Sequence, residues 1–341
     1  MKVAITGASS LIGRVLAGML TTRGDTVVAF QRGEIDPGDR RLGDRALIEQ
    51  CHGDVRDAEA VDAALDGCDV VVHLAAKVGV VGDRDDYLSI NVDGTRHVVE
   101  AARRRGLRGV VHVSSPSVAH DGHPIVGGSA EPPVFDHGAA WYPATKAIAE
   151  RLALEASDGA CAVTAIRPHL VWGPGDVQLV GRIVERAAAG RLALVGGGTA
   201  LVDTTYIDNA ATALVAAVDA IDPEAACAGN AYVVSNGEPR PIRELVEAFC
   251  RAAGVPFEPR DVPLGVARRL GSTIDRVWPY LGRSEEPPLT RFLAEQLGTA
   301  HWFDQRRVRA DLGWMPAVSI DEGIVELADW FDTHRSGADR R

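Results

Sequence analysis

The stretch Lys2-Val3-Ala4-Ile5-Thr6-Gly7-Ala8-Ser9-Ser10-Leu11-Ile12-Gly13 decides how this chain is read. Val3-Ala4-Ile5 is a continuous apolar run, the pattern of a short strand covered on both faces. Gly7 closes the run, and helical periodicity begins at Leu11. A strand that feeds a helix through a glycine-bounded loop presents the free N–H groups of the helix start, which suit a pyrophosphate. Gly7, Ser10, Leu11, Ile12 and Gly13 are the candidate phosphate-loop residues. Ser10 stands where such loops carry their middle glycine, and its hydroxyl is a candidate phosphate donor. A tight strand-to-helix turn that holds no ligand is the competing reading.

The same alternation continues outward. Apolar runs at 26–30, 69–73, 109–113 and 161–167, with a weaker one near 48–51, read as strands. Helical periodicity fills 11–23, 57–66, 84–105 and 140–157. Strand and helix in turn predict an α/β fold, a doubly wound parallel sheet of Rossmann-like type. The dinucleotide-binding core is expected over 1–170, with 205–235 returning to it. A smaller, mainly helical C-terminal substrate-binding region is expected over 171–204 and 236–335, with helices at 177–190, 241–252 and 319–333. A helix at 208–221 and a strand at 231–234 fall in the returning segment, and residues 255–300 read as a helical cap. Its apolar residues Leu264, Val266, Leu270, Ile274, Val277, Trp278, Leu281, Leu289, Phe292 and Leu293 either line a pocket for an alkyl chain or sterol, or form plain core.

The second strand ends Phe30-Gln31-Arg32. An NAD site places an acidic residue here to grip the ribose 2′-OH. Gln31 does not repel a phosphate and Arg32 can pair with one, so NADP(H) is expected over NAD(H). After the third strand, Asp54 either accepts from the adenine amino group or caps the helix starting near Asp57. Ala75 and Ala76 end the fourth strand, where small side chains let a cofactor approach the backbone. Lys77 follows them, at a place where it would bind a substrate carboxylate or cofactor oxygens, unless it is a surface lysine.

Lysine is scarce: Lys2, Lys77 and Lys146 are the only three in the chain. Lys146 lies four residues after Tyr142, on the same helical face. A cation there is expected to lower the phenol pKa and make Tyr142 a general acid/base near neutrality.

Composition excludes several classes. The 341 residues carry a net charge of −11, with 46% hydrophobic and 24% charged residues, as in soluble globular proteins. The one tight basic run, Arg103-Arg104-Arg105, ends a helix, so nucleic acid is not an expected partner. No apolar run reaches about 18 residues, so no membrane-spanning helix is expected. The five cysteines form no CxxC, which suggests buried free thiols in a reducing compartment. With no leader pattern ahead of the first strand, a cytoplasmic location is expected. His120 and His123 make at most half a metal site, and no metal is expected.

Taken in order, Gly7-x-x-Ser10-x-x-Gly13, Gly53-Asp54-Val55, His73-Leu74-Ala75-Ala76, Asn91, Ser115, Tyr142-x-x-x-Lys146 and Arg167-Pro168 resemble the extended short-chain dehydrogenase/reductases. Trp172-Gly173-Pro174-Gly175-Asp176, Tyr206-Ile207-Asp208-Asn209 and Asp311-Leu312-Gly313-Trp314 extend the likeness almost to the end. The branch resembled is the 3β-hydroxysteroid dehydrogenase-like group. The arginine of its nucleotide-sugar relatives is replaced by Leu201-Val202-Asp203, which argues against a sugar-nucleotide substrate. Within the branch, Ala29 to Gly33, Ala75-Ala76-Lys77, Pro116-Ser117-Val118, Ala144 to Arg151 and Leu201 to Ala211 are most similar to bacterial reductases of 2-alkyl-3-oxoalkanoates in long-chain olefin biosynthesis.

The resemblance implies catalytic roles for three residues. Ser115 would hydrogen-bond the substrate carbonyl, Tyr142 would donate the proton and Lys146 would bind the nicotinamide ribose. It implies further cofactor contacts at Val55, Tyr142 and Pro168. Asn91 would hold a relay water or be an ordinary interior polar residue. The substrate implied is a small hydrophobic keto or hydroxy acid. A homodimer through the helices at 84–105 and 140–157 is implied, as is assembly with other olefin-pathway enzymes. A 3β-hydroxysteroid or sterol-4-carboxylate dehydrogenase, and a non-catalytic NADP(H) sensor or scaffold, are the alternatives.

Overall fold

Seven parallel strands form one sheet, with the first strand of the chain near its middle. They are β1 (Lys2–Thr6), β2 (Thr26–Gln31), β3 (Ile48–His52), β4 (Val70–His73), β5 (Gly109–Val113), β6 (Ala162–Pro168) and β7 (Ala231–Val234). Across the sheet the order is β3-β2-β1-β4-β5-β6-β7, with each neighbouring pair parallel. The order reverses between β1 and β4, and ligands of doubly wound sheets sit at that crevice. The computed structural model describes all residues except 37, 38, 40, 80, 81, 138, 139, 279–286, 288 and 339–341.

The continuous apolar strands are explained by cover on both faces. Val3, Ile5, Val27, Ala29 and Val72 pack under α1 (Leu11–Thr22) and a helix late in the chain, Ile207–Ala220. Ala4, Val28, Phe30, Val71 and Val110 pack on the other side, under α2 (Gly94–Arg105) and Ala153 of α3 (Trp141–Glu155). Each fully buried aliphatic side chain contributes roughly 1.5–3 kcal/mol.

Three local readings change. The helix expected over 84–105 is a turn at Arg84–Tyr87, a π-helical segment at Leu88–Asp93, and then α2. The π segment carries Asn91, whose side chain is tied to the neighbouring Lys77 loop. Such bulges recur at functional sites. Residues Ile125–Gly128, ahead of α3, pair with His301–Phe303 in a four-stranded sheet that also holds Leu201–Val202 and Arg240–Pro241. The cap contains helices Leu264–Val277 and Arg291–Gly298, and also a strand, Arg260–Val262, paired with Ala193–Val195.

The apolar residues of the cap divide. Leu264 and Leu289 pack on Val195, Ala267 and Ala294, while Val266, Leu270 and Val277 are exposed. Leu281 lies outside the described residues. No described helix is long and apolar enough to cross a membrane.

Candidate active site

The loop after β1 meets the loop after β4. Gly7 has φ +72°, and a Cβ there would stand 2.9 Å from the Ala75 nitrogen. Only glycine combines that conformation with that approach. A Cβ on Gly13 would stand 2.7 Å from the Gly7 and Ala8 carbonyl oxygens, so glycine also lets α1 start tight against the loop. Ser10 needs no glycine: its φ is −65° and its ψ 162°. Its Oγ caps α1 by accepting from the Gly13 N–H at 3.1 Å, which leaves the hydroxyl proton to donate elsewhere.

Beside this loop lies a cavity of about 630 Å³. Gly7 and Ser10 form one wall, Gln31 and Arg32 come from the end of β2, and Asp54 and Val55 from the end of β3. Ala75, Ala76 and Lys77 line it from the end of β4. Leu11 and Ile12 do not line it and pack instead against the main core. Gln31 is buried, and both polar atoms of its amide lack a protein partner. A small-residue floor, a capped helix start and an orphaned amide suit a dinucleotide.

Asp54 does not cap the next helix; Asp57 does, accepting from the Glu59 and Ala60 N–H groups. The Asp54 carboxylate is instead gripped by Arg56, whose Nε and Nη2 donate at 3.0 and 2.7 Å. Those hydrogen bonds hold the carboxyl below its ordinary pKa.

Lys77 Nζ lies 3.0 Å from Asp86 Oδ2 and 5.3 Å from the Tyr87 ring centre. Its backbone is braced by Asn91: Oδ1 accepts the Lys77 N–H at 2.7 Å, and Nδ2 donates to the Lys77 carbonyl at 3.1 Å. Nδ2 also donates to Thr145 Oγ1 at 3.0 Å, one residue before Lys146. Asn91 is therefore a brace between the cavity wall and α3, with both amide N–H groups engaged.

Ser115 lies two residues beyond β5 and caps a short 3₁₀ turn, Pro116–Ala119. Its Oγ accepts from the Ser117 N–H at 3.2 Å and the Ser117 hydroxyl at 2.9 Å. Tyr142 stands in the first turn of α3, half-buried, and near enough to Ser115 for that hydroxyl to favour its phenolate. Lys146, one turn on, is 3% exposed and donates to the Val113 carbonyl at 2.6 Å. Pro168 ends β6, buried, two residues before Leu170. Leu170, at φ 42°, is the one non-glycine residue with positive φ among those described. A leucine there is a strained backbone, a feature that clusters at active sites and ligand clamps.

One expectation is corrected. Lys146 does not lower the Tyr142 pKa in this structure: burial pushes the phenol up, and only the Ser115 hydrogen bond opposes it. The ammonium is directed at Val113, and burial brings its own pKa down to about 8, with Glu150 pulling the other way.

Residues 4–264 match the 3-beta hydroxysteroid dehydrogenase/isomerase family. The chain belongs to this family. It is 47% identical to a 2-alkyl-3-oxoalkanoate reductase of Stenotrophomonas maltophilia, over 96% of this chain and 98% of that one. A protein of the same description from Shewanella oneidensis is 36% identical over 95% of this chain and 84% of the relative. Among solved structures, MoeE5 in complex with UDP-glucose and NAD superposes with a TM-score of 0.75 at 23% identity, covering 98% of this chain and 99% of that one. At that identity the likeness concerns the fold. The chain is thus a dehydrogenase/reductase of the extended short-chain type.

This family member holds its site together with contacts that spacing alone did not reveal. Glu150, one turn beyond Lys146, is fully buried and accepts from Arg167 Nε at 2.8 Å and from Arg167 Nη2. The 142, 146, 150 spacing was the available signal. His73 and His112 are buried with rings 5.5 Å apart, and neither ring nitrogen of His112 has a protein partner. His120 is buried 5.2 Å from His301, whereas His123 is exposed beside Asp121. Among the described residues no group of three or more His, Cys, Asp or Glu is placed to hold a metal ion.

Proposed function

We propose that the chain is an NADP(H)-dependent reductase that reversibly converts the 3-keto group of a 2-alkyl-3-oxoalkanoate to the 3-hydroxy acid, in long-chain olefin biosynthesis. The observation that carries the reaction is the grouping of Ser115, Tyr142 and Lys146 at the C-terminal edge of β5, joined through Asn91 to a dinucleotide-sized cavity. The 47% identical relative supports the substrate class. Neutral Gln31 and the Arg32 guanidinium on the cavity wall support NADP(H).

Bound in the cavity, the cofactor supplies hydride to the carbonyl carbon. The chain's own part is electrostatic and acid–base. Ser115 already accepts from Ser117, so its proton is available to polarise the substrate carbonyl. Tyr142 donates the proton to the developing alkoxide. The phenol is protonated at neutral pH, the form that can donate to the alkoxide. Lys146 is charged below about pH 8 and would hold the nicotinamide ribose of the bound cofactor. Lys77 faces the cavity with its ammonium shared with Asp86, a place from which it binds either substrate carboxylate or cofactor oxygens.

Nicotinamide absorbance tests this directly. A 2-alkyl-3-hydroxy acid and a 3β-hydroxysteroid are each offered with NADP and with NAD. Turnover of the hydroxy acid with NADP is expected. Turnover of the steroid alone would replace the substrate, turnover with NAD alone would replace the cofactor, and tight NADPH binding with no turnover would make the chain a sensor.

A further inference from the structure

We infer that Arg56 is a second binding residue for the cofactor's 2′-phosphate, acting with Arg32, and that Asp54 aims its guanidinium. This rests on the NADP(H) reading above.

Arg32 and Arg56 follow adjacent strands, β2 and β3, and both line the cavity. Asp54 stands on the same wall and feels the charge of both. It fixes Arg56 by three hydrogen bonds: two from the guanidinium, at 3.0 and 2.7 Å, and one from the backbone N–H to Oδ1 at 2.9 Å. The fork uses Nε and one Nη2 proton, so Nη1 and the second Nη2 proton remain available as donors. Next to Arg32, buried Gln31 adds an amide with no protein partner.

Charge balance separates this from a structural ion pair. Five charged side chains line the cavity: Arg32, Asp54, Arg56, Lys77 and Asp86. Lys77 and Asp86 neutralise each other at 3.0 Å. The remainder is one net positive charge, on a chain of net charge −11. Without Arg56 the remainder is zero, and an uncovered Asp54 carboxylate faces the ligand. A carboxylate in that place repels a phosphate monoester and tolerates a ribose hydroxyl. Arg56 thus both supplies donors and covers the anion that would select against them.

Calorimetric titration with 2′,5′-ADP and with ADP reads this without any turnover. The side chain of Arg56 is 45% exposed, so Arg56→Gln leaves the core untouched, and a thermal melt confirms folding. The wild-type protein is expected to bind 2′,5′-ADP about tenfold or more tighter than ADP. Arg56→Gln is expected to weaken 2′,5′-ADP about 10- to 100-fold, the scale of a lost charged hydrogen bond, and to change ADP less than about twofold. Arg56→Lys should fall between, since it keeps the charge and loses the fork. Equal loss for both ligands, or no loss for 2′,5′-ADP while Arg32→Gln does lose it, would overturn the role of Arg56. A wild-type protein that binds both ligands equally would overturn the cofactor reading itself, and this inference with it.

Discussion

Lys146 donates to the carbonyl oxygen of Val113, the last residue of β5, at 2.6 Å. The bond draws a buried ammonium to the sheet edge two residues before Ser115, and burial lowers its pKa to about 8. A charged Lys146 is therefore available at neutral pH and is lost on the alkaline side. The turnover rate at saturating substrate should fall as pH rises through about 8. Stability moves the other way. Between about pH 8 and the ordinary value of 10.5 the unfolded chain holds this proton and the folded chain does not, so this group favours folding as pH rises. A rate profile flat to pH 10 would mean that Lys146 keeps its charge, and so its ordinary pKa, in the working enzyme.

Tyr142→Phe keeps the ring and removes the proton donor. We expect kcat to fall by about 10²- to 10⁴-fold, the range for a positioned acid, with cofactor affinity changed only a few-fold. Turnover and fluorescence titration of the cofactor measure the two effects separately. Retained kcat would move the acid elsewhere.

Glu150 and Arg167 are a buried ion pair, 0% and 1% exposed, and Arg167 Nη1 also donates to the Glu131 carbonyl at 2.8 Å. Glu150→Gln leaves a buried guanidinium without its counter-charge, which should cost about 3–5 kcal/mol in urea unfolding. Glu150 also raises the Lys146 pKa, so the alkaline limb of the rate profile should shift to lower pH in this variant. A stability loss with an unmoved limb would leave Glu150 a packing residue alone.

Acid should unfold this protein from an unusually high starting pH. His73 and His301 are held near pKa 3 and His169 near 4 by burial, and His112 is also well below its ordinary value. Below pH 6.5 the unfolded chain takes up these protons and the folded chain does not, so their contribution is lost as pH falls from 6.5 towards 3. Asp203 opposes them, since burial raises its carboxyl to about 6 and the folded state gains from its proton between about 6 and 3.8. Burial also lowers His120 and His137 and raises Asp208 and Asp275, so six imidazoles stand against three carboxyls and the net direction is a loss. The melting temperature should begin to fall near pH 6.5; a fall that begins only near pH 4 would mean ordinary carboxylate titration dominates.

Much of the architecture was legible because it is local. Gly7 and Gly13 mark the turn, Val3 to Ile5 and Val70 to Val72 mark buried strands, and Gln31-Arg32 falls at a strand end by counting along the chain. The strand at 125–128 was not legible, because Ile125–Gly128 pairs with residues some 175 positions later and has no apolar run of its own. The π turn at Asn91 was missed for a related reason: a hydrophobic period of 3.6 continues through 84–105 whether or not one turn is widened.

The sequence by itself determined the strand–loop–helix order and the family. Those follow from backbone preference, apolar periodicity and motif spacing, all set within a few neighbouring positions. The tertiary structure alone decided what each charge meets. Lys146 turned to Val113, Glu150 to Arg167, Arg56 to Asp54, and burial overruled Lys146 at the Tyr142 phenol. Hydrogen bonding and desolvation depend on which atoms surround a group in space. That surrounding is assembled from distant segments and has no local signature.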